Sequence, residues 1–150
     1  MLSIKFLHVL SVTIWVGGMF FAYMVLRPSA AKMLQAPERL GLWNDVFARF
    51  FKWVWLFSLL TVFSGLYLIH LYGGMGNVSH AVHVMLLLGV LMLGIFVYLF
   101  FALYRPFAVV VQAQDWPRAG ALLGSIRKLV ATNLALASAI FAALMLGQLL

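Results

Sequence analysis

The chain has 150 residues, of which 66% are hydrophobic and 9% charged, with a mean hydropathy of +1.10. A soluble domain of this size carries far more charge, so the composition describes an integral membrane protein. The net charge of +7 does not point to nucleic acid, because the cations flank apolar spans, and the absence of cysteine excludes disulfides and thiolate metal sites.

The first apolar span, Phe6 to Leu26, is too long for a signal-peptide core and ends in Arg27-Pro28 without a cleavage site, so it is expected to stay in the mature chain. His8, Ser11, Trp15, Gly18 and Ala22 follow one another in steps of three or four, which puts them on one helical stripe. That stripe suits an inward face better than a lipid-facing one. The segment Ser29 to Phe50 spaces Met33, Leu40, Trp43 and Phe47 among polar residues, which predicts an amphipathic helix lying along the membrane interface.

The second span runs from about Trp53 to Leu71 and closes in a glycine-rich turn, Tyr72 to Ser79, where Ser79 or Asn77 is a candidate N-cap. The third covers about Ala81 to Tyr104 and ends in Arg105-Pro106, and the fourth covers about Leu129 to Leu150. The predicted fold is all-α: one transmembrane domain over 1–150, a four-helix bundle with helices at about 4–27, 50–72, 79–105 and 125–149.

The two halves echo each other. Phe20-Phe21-Ala22 precedes the first Arg-Pro and Phe100-Phe101-Ala102 the second, while Pro37, Arg39 and Gly41 are answered by Pro117, Arg118 and Gly120. Offsets of 78 to 80 residues suggest two tandem helix pairs. Nine of the ten Lys and Arg residues lie in or beside the two long connections, with only Lys5 on the other side. The positive-inside rule then predicts cytoplasmic connections and periplasmic N- and C-termini in a bacterial inner membrane. Trp43, Trp53, Trp55 and Trp116 fall near predicted boundaries, as an interfacial aromatic belt does.

This topology gathers all four histidines, His8, His70, His80 and His83, at the outer surface. His8 and His83 should differ in depth by about one helical turn, and two facing imidazoles suit the axial positions of a b-type haem in a bundle core. In that reading Lys5 pairs with a propionate, Trp15 packs on the macrocycle, and Gly17, Gly18, Gly65, Gly89 and Gly94 leave it room. The competing cofactor is copper, with Met75, His80 and His83 as a candidate entry site and Met85 nearby. Histidine at an interface and glycine at helix contacts also have ordinary packing roles. The three acids, Glu38, Asp45 and Asp115, lie far from the histidines, so none is placed as a general base there. Asn133 is a polar group inside the fourth helix. Expected partners are the lipid bilayer and a quinone or another redox partner, with a homo-oligomer left open and no nucleic acid.

Lys5-x-x-His8, followed by Trp15-x-Gly17-Gly18, resembles the start of the CopD-like membrane proteins and of the related four-helix protoporphyrinogen oxidase of the HemJ kind. Phe47-Ala-Arg49-Phe50-Phe51 leading to Ser64-Gly65-Leu66 is similar to the second helix of CopD domains, and Arg127 to Asn133 resembles the opening of the oxidase's last helix. The CopD resemblance implies copper resistance or uptake; the oxidase resemblance implies b-type haem and an oxidoreductase. Members of both groups often carry lysine near the start of the third helix, where this chain has His83, and the oxidase-like Asn-Glu-x-Pro continuation is missing after Asn133.

Overall fold

The structure, a computed structural model, describes residues 1–146, so the end of the fourth predicted helix lies outside the described residues. Among the described residues there are four long helical rods and no strand: α1 (Leu2–Met33), α2 (Ala36–Leu71), α3 (His80–Gln112) and α4 (Trp116–Leu146). Each is long and apolar enough to cross a bilayer. At 1.5 Å per residue the shortest extends about 46 Å, well beyond a hydrocarbon core of about 30 Å. The rods overshoot on the cation-rich side, which is called the cation end below; the opposite end carries the histidines.

Arg27-Pro28 and Arg105-Pro106 do not end their helices. Proline lacks an N–H and its ring crowds the carbonyl four residues back. Both rods absorb this by widening into a π turn just before the proline, at Phe21–Leu26 and at Leu99–Tyr104. Arg27 N–H donates to the Ala22 carbonyl and Arg105 N–H to the Phe100 carbonyl, each reaching back five residues. Each arginine also sits over the aromatic ring four residues earlier, Arg27 over Tyr23 at 4.9 Å and Arg105 over Phe101 at 5.1 Å. These equivalences all fall at a spacing of 78, so the two Phe-Phe-Ala tripeptides, 80 apart, occupy different places in their rods. The drift to 80 at Pro37 and Pro117 has a simple origin. The helix after the second π turn is one residue longer than its counterpart, and so is the loop that follows.

The predicted interfacial helix over Ser29 to Phe50 does not form as a separate element. Its first residues continue α1 to Met33, Leu34 and Gln35 break the chain, and the rest is the opening of α2. A capping box explains the restart: Gln35 caps the backbone at Glu38, and the Glu38 carboxylate accepts from the Gln35 N–H at 3.3 Å. Pro37 sits in the first turn, where its missing N–H costs nothing, and no proline follows it until Pro106, so α2 runs unbroken into the membrane span. The apolar face that suggested membrane contact is buried in protein instead. Leu40, Trp43 and Phe47 pack with Phe107, Val110, Val111, Leu123 and Ile126 into a core at the cation end. Trp43 is therefore a core residue and not part of an aromatic belt, whereas Trp53 is exposed.

α1 packs mainly on α2, and α3 mainly on α4. The first pair is antiparallel, since His8 meets Ser64 while Gly18 meets Phe50. The pairs join through a ladder of rings: Phe51 stacks on Phe47 at 5.0 Å and meets Phe96 and Tyr104 edge-on at 5.6 and 4.9 Å. One turn before Phe96, the Met92 carbonyl of α3 accepts from Asn133 Nδ2 of α4 at 3.2 Å, a buried cross-helix bond.

Candidate functional site

The inward stripe of α1 is as its spacing predicts, with Ser11 and Trp15 buried. Toward the histidine end the four rods stand apart around a cavity of about 180 Å³, lined almost wholly by apolar side chains. His8, Trp15, Thr61, Gly65, Met85, Gly89 and Met92 contribute to its wall.

His8 is half-buried, and its Nδ1 lies 3.0 Å from Ser64 Oγ. The serine hydroxyl has one proton, and the carbonyls of Leu60 and Thr61 behind it can only accept. The Ser64 hydroxyl therefore donates backward, and His8 Nδ1–H donates to Ser64 Oγ. This bond fixes the tautomer and leaves Nε2 with a free lone pair. Gly65 provides the space: a Cβ there would lie 3.1 Å from His8 Cε1. The cavity is thus bounded by an oriented imidazole on α1 and two thioether residues, Met85 and Met92, on α3.

His83 does not share this cavity. It is exposed, and its Nδ1–H donates to the Ser79 carbonyl of its own first turn at 3.0 Å. His8 and His83 therefore do not face each other across the bundle as the matched depths suggested. Ser79 holds the N-cap position without a side-chain bond. His80 is exposed beside His83 with ring centroids 6.2 Å apart, His70 is exposed near Tyr67, and Met75 is exposed in the turn. Lys5 reaches across to the ring of Tyr72 at 5.3 Å. Trp15 does line the cavity, and its buried Nε1 has no hydrogen-bond partner among the described residues.

Of the five glycines that were to admit a macrocycle, two have close neighbours: the space beside Gly18 is filled by the Phe50 ring and that beside Gly65 by His8. Gly17, Gly89 and Gly94 meet nothing within 4 Å, and of these Gly89 lines the cavity. The acids are all engaged at the cation end: Glu38 with the Gln35 N–H, Asp45 with Arg49 at 3.1 Å, and Asp115 with the Arg118 N–H.

The residues missed from sequence are Met92 in the cavity wall, Ser64 behind His8 and, as a partner of His8, Met85. The signal for the methionines was present in the spacing Met85, Gly89, Met92, which puts all three on one face of α3. Among the described residues no cluster of three or more His, Asp or Glu side chains could hold a metal. The donors that do line the cavity are one imidazole and two thioethers, a set that suits a soft ion.

The family model of copper resistance protein D matches residues 44–146, covering most of α2 and all of α3 and the described part of α4. The match includes Ser64, Gly65, Met85 and Met92 and leaves out α1 with His8. Neither the comparison with curated proteins nor that with solved structures returned a match. The resemblance to the four-helix oxidase has no counterpart in these comparisons. On that match, carried by three of the four rods that enclose the cavity, the chain belongs to the copper resistance protein D family.

Proposed function

We propose that the protein binds monovalent copper as cargo in the bundle cavity, with His8 Nε2 and the thioethers of Met85 and Met92 as the donor set, and handles it within or across the membrane. The observation that carries this is the His8–Ser64 hydrogen bond. It leaves the Nε2 lone pair of a cavity-lining imidazole unused, and the other soft donors of that lining are methionines. Thioether and imidazole are the ligands Cu(I) prefers, and the family is one of copper resistance proteins. The cation asymmetry supports an orientation with the histidine end outside and the termini periplasmic. His80, His83 and Met75 then line the outer surface where an arriving ion first meets the protein.

A b-type haem between His8 and His83, with electron transfer to a quinone, draws less support. A cavity of about 180 Å³ falls below the roughly 300–1,000 Å³ of ordinary cofactor pockets, and His83 is turned away from it.

Full-length protein in detergent should take up about one Cu(I) in competition with a coloured chelator, and should show no Soret band after growth with haem supplementation. His8→Ala should remove this binding. Ser64→Ala, which deletes only the orienting partner, should weaken it about 10- to 100-fold, as loss of an outer-shell partner does. A red preparation whose colour depends on both His8 and His83 would replace the copper reading with the haem one. Copper binding unchanged in His8→Ala would remove the cavity from consideration.

A further inference from the structure

The cation end holds a second feature that the copper reading does not use. Between α1 and α4 runs an open groove of about 480 Å³, floored by small residues and flanked by rings: Gly17, Phe20, Tyr23, Ala131, Ala135 and Ser138. Tyr23 carries the Arg27 guanidinium over its face at 4.9 Å. Arg127 stands on α4 one turn before Ala131.

Arg27 and Arg127 are both half-buried, as is Arg39 at the opening of α2. Burial, and then the charges of Arg27 and Arg39, disfavour the charged form of the Arg127 guanidinium, while Tyr23 favours it. Arg27, over a ring that lines the groove, and Arg127, one turn before a lining alanine, thus flank the groove from α1 and α4. Among the described residues no side-chain carboxylate is left for them: the only ion pair is Arg49 with Asp45, and the other two acids cap helix starts. Membrane orientation requires cations on this side of the bilayer, but it does not require two of them to stand half-buried beside an apolar groove, where like charges repel more strongly. An anion at this point removes that repulsion, and guanidinium forks match phosphate oxygens.

We propose that this groove and arginine cluster form a binding site for an anionic phospholipid. One acyl chain lies between α1 and α4, and the phosphate is held by Arg27 and Arg127 with Arg39 behind them. Charge complementarity identifies the headgroup, and the apolar groove leading from it identifies the chain; basic pockets between transmembrane helices recognise such headgroups. The groove shares Val16 and Phe141 with the wall of the copper cavity but none of the proposed copper ligands, so the two readings stand or fall independently.

The test uses full-length protein, purified in detergent and stripped of lipid, with thermal unfolding and native mass spectrometry as readouts. Phosphatidylglycerol should raise the melting temperature and leave one lipid bound, phosphatidylcholine of the same chains should do so weakly, and inorganic phosphate should do nothing. Arg27→Gln and Arg127→Gln should each weaken phosphatidylglycerol binding about tenfold, whereas Arg118→Gln, outside the cluster, should leave it unchanged. Ala135→Phe, which fills the groove, should weaken binding of both lipids. Without lipid, Arg127→Gln should melt at the same temperature as the parent or higher, because it relieves the repulsion. The proposal is overturned if phosphatidylcholine matches phosphatidylglycerol, if inorganic phosphate reproduces the shift, if the arginine variants keep full binding, or if lipid-free Arg127→Gln melts lower.

Discussion

Phe51→Ala should cost the folded bundle about 3–5 kcal/mol, at the lower end of that range. Phe51 is 3% exposed and is one of the rings through which α2 meets α3, touching Phe47, Phe96, Phe100 and Tyr104 at centroid distances of 4.9 to 6.0 Å. Lipid tails are as apolar as the protein interior, so truncation in this setting loses little hydrophobic transfer energy. It loses dispersion and edge-to-face contacts, and it leaves a void in a region too crowded to collapse. Reversible unfolding in mixed micelles would measure it. Phe63→Ala is the matched control: the same atoms are removed from a side chain 65% exposed toward lipid, and the change should stay within about 0.5 kcal/mol. Equal effects at the two positions would mean that the ring ladder contributes nothing to joining the helix pairs.

The second large effect belongs to Gly18. A Cβ at this position would stand 2.5 Å from Cε2 and 2.8 Å from Cζ of Phe50, so α1 and α2 can close only while residue 18 has no side chain. Gly18→Ala should destabilise by about 1–3 kcal/mol through overpacking, more than offsetting the roughly 0.5–1 kcal/mol that alanine gains over glycine inside a helix. Gly17→Ala meets nothing within 4 Å, so it should show the helix-propensity gain alone. Adding Phe50→Leu to Gly18→Ala should recover much of the loss, and the coupling in that double-mutant cycle is the measurement of interest. If Gly18→Ala and Gly17→Ala behave alike, the close approach of the two rods at this level is wrong.

These two positions show what was legible in the sequence and what was not. Hydropathy alone fixed four spans, and the shared Arg-Pro dipeptides marked the two halves, because membrane length and proline chemistry are local properties. The π turns were not legible. Proline predicts a helix end, and only the packing of the extended cation end makes a widened turn better than a break. The candidate site was half legible for a related reason. Counting residues from Arg27 and Arg105 estimates depth, and depth put His8 and His83 together. Facing direction is a separate coordinate: His83 stands two residues before Met85, about 200° round the helix from the face that lines the cavity. The same arithmetic applied to Met85, Gly89 and Met92 picks out that face, but nothing in the chain says in advance that α3 turns it toward His8. The partner that orients His8 was equally hidden, because Ser64 reads as an ordinary packing hydroxyl until α1 is laid against α2.

The paired π turns carry a consequence for the history of the chain. A π turn holds one residue more than the α turn it replaces, and both halves carry it at the same register, directly before Arg-Pro and under an arginine stacked four residues back. Two separate insertions would have had to strike the same place twice. If the halves descend from one helix pair, the extra residue was already in that ancestor, and the later differences accumulated beyond it, in the helix end and the loop, each one residue longer in the second copy. The oldest irregularity in the protein is then not at its histidines but at the opposite end.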